Sequence, residues 1–465
     1  MNEALDVARR KAYLRLLPVL IFCYIIAYVD RNNVAIAKLT MVRDLPEFNE
    51  RIFGFGMGIF FLGYFLLEIP GTLIVERWSA NKWICRIMVT WGIIAAMTAF
   101  VKTPTQFYTI RFLLGLAEAG FFPGVIVYLT HWFPERDRAR ALAMFLIASP
   151  IAMMLSPIVS QSVLHFGTTE VVAGVPVTYP PLMGLSGWQW IYIMWGVPAV
   201  ILGAALPWIL PDHPRDARFL SGAEREALEA KLAEEKARRA AHGHMTLWQA
   251  FSNPKVLLLA LAFFGAVAAN YGVESFLPSI LKEWYDLTPS QAALLTVLPS
   301  ILVLVGQLFI GWSSDRTQER RFHAALPIAL GAAAFLLAPY TRGSLPLTML
   351  CFMIAAAGMK VYMPAFWSLP SMFLTSTAAA GSIGLINSVG NLGGFVGPYA
   401  LGYVKETTQS YNVGLYVLAA LALLSSAVIL CLRIVAVGSP SVTGEQPPPA
   451  GSASTPATAA SASTP

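Results

Sequence analysis

Apolar residues in this chain fall in long unbroken runs. Twelve of them, near 14–36, 53–75, 84–101, 105–130, 139–165, 188–209, 255–281, 291–312, 324–341, 345–367, 378–403 and 413–435, are long enough to cross a hydrocarbon core of about 30 Å as helices. None shows the period-two alternation of a barrel strand, and a continuous helix satisfies its own backbone in lipid. The pattern predicts an all-α membrane protein with twelve transmembrane helices. Two stretches interrupt it. Residues 210–254 are polar and contain SGAEREALEAKLAEEKARR, where Ser221 and Glu224 have capping-box spacing, so a surface helix is expected. Residues 436–465 are rich in Pro, Ser, Ala, Thr and Gly, lack apolar side chains to bury and read as a disordered tail. The domain reading is a six-helix bundle over 1–209, a cytoplasmic linker over 210–254, a second six-helix bundle over 255–435 and a tail over 436–465.

Composition sharpens this picture. Hydrophobic residues make up 56% of the chain and charged ones only 12%, with a mean hydropathy of +0.61, outside the range of an ordinary soluble domain. The first apolar run is too long for a removable signal peptide and lacks a small-residue cleavage site, so it reads as a retained span. Cys23, Cys85, Cys351 and Cys431 lie in separate runs or at their edges, without metal or disulfide spacing. The six histidines form no metal-ligand cluster, and neither a Gly-rich phosphate loop nor a nucleophile motif is present. An enzyme is therefore not expected, and neither is a cofactor or a metal.

The basic residues set an orientation. Arg9, Arg10, Lys11 and Arg15, then Arg77, Lys82 and Arg86, then Arg136, Arg138 and Arg140, share one side with the basic residues of 215–255, with Arg316, Arg320 and Arg321, and with Arg433. Lys38, Arg43, Arg51, Lys102, Lys282, Arg342 and Lys405 fall on the other side. By the positive-inside rule both termini are cytoplasmic. The net charge of +6 is then topological and requires no nucleic acid. With no N-x-Ser/Thr sequon or transit peptide, a bacterial inner membrane is the expected setting.

A few charged residues lie inside the apolar runs, where each costs from about 2.5 kcal/mol upward and usually faces a water-filled route. YIIAYVDRNN carries Asp30, Arg31 and Asn32, and RFLLGLAEAGFFPG carries Arg111 and Glu118. Tyr24, Tyr28, Arg31 and Ala35 share one helical face, which is assigned to a cavity. There Arg31 presents a planar fork suited to a carboxylate, while Tyr28 and Asn32 can bond hydroxyls or ring substituents. Asp30 and Arg31 point about 100° apart, so a direct pairing is awkward. Arg111 and Glu118 lie two turns apart on nearly one face. A carboxylate between an apolar wall and an arginine can exchange a proton as a cavity opens and closes.

The two halves echo each other at a spacing of about 240 residues. Asp30-Arg31-Asn32 aligns with Asn270-Tyr271-Gly272, GTLIVER ending at Glu76-Arg77 with GWSSDR ending at Asp315-Arg316, and Ser156-Pro157 with Gly397-Pro398. The fold expected is two pseudo-symmetric six-helix bundles with substrate near the midplane between them.

The order of these motifs resembles the major facilitator superfamily. YVDRNNVAIA, RFLLGLAEAGFFPG, WQWIYIMWGVPAVILG and FWSLPSMFLTSTAAAGSIGLINSVGNLGGFVGPYALG together resemble its anion:cation symporter branch, the relatives of phthalate, tartrate and hexonate permeases. The resemblance covers roughly residues 10–435 and implies import of a small organic carboxylate by proton symport and alternating access. It further implies that Asp30 and Glu118 form the proton-coupling pair with Arg111 modulating one of them, that Tyr64 contacts the ligand, and that Glu68 helps to gate.

Asn387 and Asn391, one turn apart among glycines, together with Asn270, Tyr271 and Trp367, complete the candidate substrate pocket. Glu76, Arg77, Asp315 and Arg316 are assigned to conformational latches at helix ends. Two departures from the family pattern stand out. Glu274 occupies a segment where Phe-Trp-Leu-Pro is expected, and Lys360 stands where a neutral residue is usual. Two uncompensated charges at this depth would be costly, so a Glu274–Lys360 pair is expected, with Lys360 a candidate second cation for a substrate bearing two acidic groups. Trp195, where relatives often carry Glu, has no assigned meaning. The expected partners are a small organic anion, protons and membrane lipid, and each chain contains a complete pathway as a monomer. An aromatic carboxylate, a tartrate-like acid and a sugar acid all fit. An anion exchanger without proton coupling and a non-transporting membrane sensor are the rival readings.

Overall fold

The structure, a computed structural model, describes residues 2–172, 175–240, 253–317, 319–370 and 376–432. The first span is one helix, Asn2–Asp44, longer than a membrane is thick. Its N-terminal turns project beyond the apolar run, where Arg9 bonds Asp137 and Lys11 Nζ donates to Glu224 at 2.8 Å. Glu224 opens the helix Gly222–Ala240, and its carboxylate accepts from the Ser221 amide at 2.9 Å while the Ser221 hydroxyl accepts from the Glu224 amide at 3.3 Å. The capping box expected from sequence thus starts a linker helix that docks on the first span. Residues 241–252 and the expected tail at 436–465 lie outside the described residues.

The second and third spans, Glu50–Arg77 and Ala80–Met97, begin at Asn49 and Ser79, whose side chains accept from the backbone amides of Ile52 and Lys82, three residues on. The fourth consists of two helices, Pro104–Glu118 and Phe121–Trp132, joined at Gly120. Gly120 has φ +85°, a left-handed conformation that a side chain resists, and its carbonyl accepts from Trp83 Nε1 at 3.3 Å. The fifth span divides into Glu135–Leu146 and Ala148–Leu164, and the sixth is Gly187–Ile209. In the second half the spans are Pro254–Tyr285, Pro289–Leu295 with Val297–Thr317, Arg321–Leu337, Leu345–Gly358 with Met363–Phe366, Ser376–Asn391 with Gly393–Thr408, and Tyr411–Cys431.

Among the described residues, eleven helical segments are long and apolar enough to cross a membrane. The remaining crossing, eleventh in order, is made by two shorter helices that meet at Leu392. The chain therefore folds as twelve crossings in two bundles. An antiparallel hairpin, Thr169–Val172 with Val175–Thr178, lies between the fifth and sixth spans. A search for long apolar runs does not register strands of four residues, so the all-helical reading missed it.

The halves meet where the first span packs on the seventh, the second on the eleventh, and the fifth on the eighth. Small residues allow the closest approach. A Cβ at Gly54 would come within 2.5 Å of the Pro398 carbonyl, and one at Gly402 would collide with the Glu50 carbonyl. These contacts close the end of the molecule opposite Asn2 and the linker helix.

Candidate functional site

Arg31 is the centre of the interface. Its Nη2 is hydrogen-bonded to Oε1 of Glu118 on the fourth span, and its Nη1 donates to the Tyr271 hydroxyl on the seventh at 3.3 Å. The guanidinium carbon lies 5.8, 5.4 and 5.3 Å from the ring centres of Tyr28, Phe60 and Tyr64, an aromatic collar that holds a cation away from lipid. Tyr64 faces Arg31 through this collar. Asn32 spends its side-chain amide on the Tyr28 carbonyl at 2.9 Å and turns toward the cavity described below.

Asp30, 2% exposed, points away from Arg31 into the first bundle. It accepts from Trp91 Nε1 at 2.9 Å and from Asn33 Nδ2 at 3.1 Å. Neither donor is charged, so the carboxylate sits in a polar but cation-free first layer. Arg111, 1% exposed, bonds neither Asp30 nor Glu118. Its Nε donates to the Gly56 carbonyl at 3.3 Å, its Nη2 to the Arg31 carbonyl at 3.4 Å, and its Nη1 has no hydrogen-bond partner among the described residues. Arg111 shares a helical face with Glu118, and the residue bonded to the Glu118 carboxylate is Arg31 of the first span. Any influence of Arg111 on the carboxylates acts through space.

A second ion pair occupies the other half. Lys360 Nζ lies 3.1 Å from Oε2 of Glu274 and donates to the Tyr28 hydroxyl at 3.2 Å, while Asn270 Nδ2 donates to Glu274 at 2.9 Å. Lys360 stands at the break in the tenth span, between Gly358 and Met363, and its carbonyl accepts from Gln307 at 3.3 Å. Asn32, Asn270, Glu274 and Lys360 line a cavity of about 50 Å³ together with Ser156 and Ser300.

Glu68, on the second span, reaches across the interface. It accepts from Asn387 Nδ2 at 2.6 Å and from Ser388 Oγ at 3.3 Å, and also bonds Asn391. The two asparagines are thus committed to this carboxylate. Trp367 packs edge-on against Phe263, ring centres 5.0 Å apart, and belongs to an aromatic layer with Phe366 instead of the cavity lining. Trp195 donates to Ser160 Oγ at 3.3 Å within the first bundle. Of the expected latches, the side chains of Glu76, Arg77 and Asp315 lie outside the described residues, and Arg316 stacks on Trp312 at 5.4 Å.

Sequence reasoning missed a polar cluster at the sealed end. Lys38, 2% exposed, bonds Glu50 Oε2 at 2.6 Å and lies 3.9 Å from the ring centre of Phe276 in the other half. Lys282 donates to the Leu39 carbonyl at 3.0 Å, and Lys405 to Glu283 at 2.7 Å. Lys38, Lys282 and Lys405 entered the sequence reading only as loop charges. Their positions within a turn or two of apolar run ends, facing Glu50 and Glu283 at equivalent ends, were the available signal.

Twelve crossings in two bundles, with ion pairs at the interface between them, are the architecture of a multi-pass membrane transporter. The family model of the Major Facilitator Superfamily matches residues 20–398 and 279–461, and the chain belongs to that superfamily. It is 40% identical over 424 residues to a protein of Agrobacterium vitis named as a tartrate transporter, with 91% of this chain and 90% of the relative covered. It is also 36% identical over 418 residues to a quinolone resistance transporter of Acinetobacter baumannii, covering 90% and 93% of the two chains. Among solved structures, a bacterial homologue of the lysosomal transporter Spinster, in an inward-facing and occupied conformation, superposes with a TM-score of 0.70 at 15% identity, covering 90% of this chain and 96% of the other. That likeness concerns the fold.

Proposed function

We propose that this transporter imports a small organic carboxylate together with protons, by alternating access between its two halves. The observation that carries the reading is the Arg31–Glu118 bond at the interface. A substrate carboxylate and the Glu118 carboxylate compete for one guanidinium. Protonation of Glu118 removes its charge and frees Arg31 for the substrate; release of both resets the pair. Asp30, held by neutral donors one residue away, is the second proton carrier, and Arg111 acts on both through space. The naming of the Agrobacterium vitis relative for tartrate supports an organic acid as cargo.

In the orientation set by the basic residues, the sealed end is periplasmic and both termini are cytoplasmic, in a bacterial inner membrane. Lys38, Glu50, Lys405 and Glu283 then close the outer side, and Glu68 with Asn387 and Asn391 ties the halves further in. Each chain works as a monomer, since both halves of the site come from one polypeptide. A proton moving down 100 mV releases about 2.3 kcal/mol, and about 1.4 kcal/mol corresponds to tenfold accumulation. One net positive charge per cycle thus concentrates a solute roughly fiftyfold.

The test is uptake of labelled tartrate, phthalate and galactonate into energised right-side-out vesicles, at acidic and mildly alkaline outside pH, with and without a protonophore. Accumulation of one acid that is stronger at acidic pH and abolished by the protonophore is the expected result. Uptake that ignores the protonophore and requires preloaded anion overturns the reading in favour of an exchanger, and net export of the acids overturns its direction.

A further inference from the structure

Arg31 and Glu118 suffice for binding one carboxylate and leave the other interface ion pair, Glu274 with Lys360, unused. We propose that Lys360 is a second anion-binding residue that selects substrates carrying a second acidic group, and that Glu274 is the internal anion occupying that subsite between substrates. The proposal takes Arg31 as the ligand of the first carboxylate and so rests on the carboxylate reading above.

The two pairs join equivalent spans of the two halves, with the charges inverted. In the first half the cation is on the first span and the carboxylate on the fourth, and in the second half the carboxylate is on the seventh span and the cation on the tenth. First and seventh, and fourth and tenth, are equivalent positions in the two six-helix repeats. Each cation also donates to a tyrosine of the opposite half, Arg31 to Tyr271 at 3.3 Å and Lys360 to Tyr28 at 3.2 Å. Both cations therefore stand at the interface between the halves, where an alternating-access substrate is held.

They are also close enough to share one ligand. The Arg31 guanidinium carbon and Lys360 Nζ lie 5.8 and 5.4 Å from the same Tyr28 ring centre, and so within about 11 Å of each other. A charge-assisted hydrogen bond of about 2.8 Å at each end leaves a span that a short diacid bridges. The cavity beside Lys360 is bordered by Asn32, Asn270 and Glu274. The Lys360 ammonium is already engaged by Glu274 at 3.1 Å and by Tyr28 at 3.2 Å, so a substrate carboxylate takes the place of the Glu274 carboxylate. The backbone agrees with such a site: Lys360 interrupts the tenth span, and non-helical backbone at membrane depth occurs where it is buried in protein or lines a cavity. Stability is a weak reason for the pair, because a buried ion pair contributes little over apolar residues of the same volume.

The experiment measures dissociation constants of the purified, reconstituted protein for matched acids, tartrate against glycerate and phthalate against benzoate. The wild-type chain is expected to bind at least one diacid tenfold or more tightly than its monoacid. In Lys360→Gln that ratio falls tenfold or more, toward one. Glu274→Gln combined with Lys360→Gln removes both charges together, so the fold is retained and the same collapse of the ratio is expected. Exchanging the pair, Glu274→Lys with Lys360→Glu, should give a monodisperse protein that does not take up diacids. A diacid preference unchanged in Lys360→Gln, absence of that preference in the wild type, or full uptake by the exchanged pair overturns the proposal alone. Absence of binding for all four acids and for galactonate overturns the carboxylate reading beneath it.

Discussion

Arg31 and Tyr271, 240 residues apart, meet across the interface with guanidinium and hydroxyl 3.3 Å from each other. The same two positions align in the internal repeat. Positions related by a pseudo-twofold axis can touch only close to that axis, so Arg31 stands at the centre of the molecule, where a rocking-bundle transporter holds its cargo. The placement explains why a cation at this depth is surrounded by three aromatic rings and countered by a carboxylate from another span.

Arg31→Lys keeps the charge but loses the fork that serves Glu118 and Tyr271 together. Loss of a charged hydrogen bond costs about 1.5–3 kcal/mol, so acid binding should weaken by roughly ten- to a hundredfold. Equilibrium binding of tartrate or phthalate to the purified variant checks this; affinity within twofold of wild type would place the carboxylate elsewhere.

Asp30→Asn keeps the size of the side chain and one acceptor oxygen for Trp91, with the Asn33 amide turning to accept from the new NH2, while removing the proton chemistry. Proton-driven accumulation should be lost and substrate counterflow retained. Comparing the two modes in proteoliposomes separates coupling from binding.

Lys38→Met removes the buried ammonium that bonds Glu50 and faces Phe276, and Gly54→Ala pushes a methyl against the Pro398 carbonyl. Each destabilises the sealed end by on the order of 1–3 kcal/mol. Single cysteines placed near residues 40 and 280 in a cysteine-free background should be alkylated several-fold faster in either variant than in the parent.

The linker contact has its own pH dependence. The Lys11 ammonium, with the Ser221 amide, holds the Glu224 carboxyl below its ordinary value of 4.5. Its contribution is fully present above that ordinary value and is lost as pH falls through the lower, folded one. Hydrogen exchange at the start of the linker helix should therefore be protected at neutral pH and lose protection in acid, and Lys11→Ala should lose the protection at neutral pH too.

The crossings were legible because a long apolar run has one stable form in lipid. Repeats at one spacing gave the two-bundle arrangement, and the cost of isolated charge brought Glu274 and Lys360 to attention together. The partner of Glu118 was not legible. Helical spacing places Arg111 near it on one helix, but the rotation of the first span against the fourth decides that Arg31 makes the bond, and that rotation is a property of the packed bundle. For the same reason the bonds of Asn387 and Asn391, read as substrate ligands, to Glu68 of the other half were not legible. The bend at Gly120 left only a glycine among many, since its left-handed backbone is set by the approach to Trp83.

The central claim, coupling of carboxylate and proton through one interface site, is tested most directly by substrate-driven proton movement. Proteoliposomes carrying a trapped pH-sensitive dye, with no imposed proton gradient, receive tartrate, phthalate or galactonate outside while the interior pH is followed. The account predicts acidification of the lumen on addition of the transported acid, absent in Asp30→Asn. Entry of the labelled acid with no change in lumenal pH would contradict it.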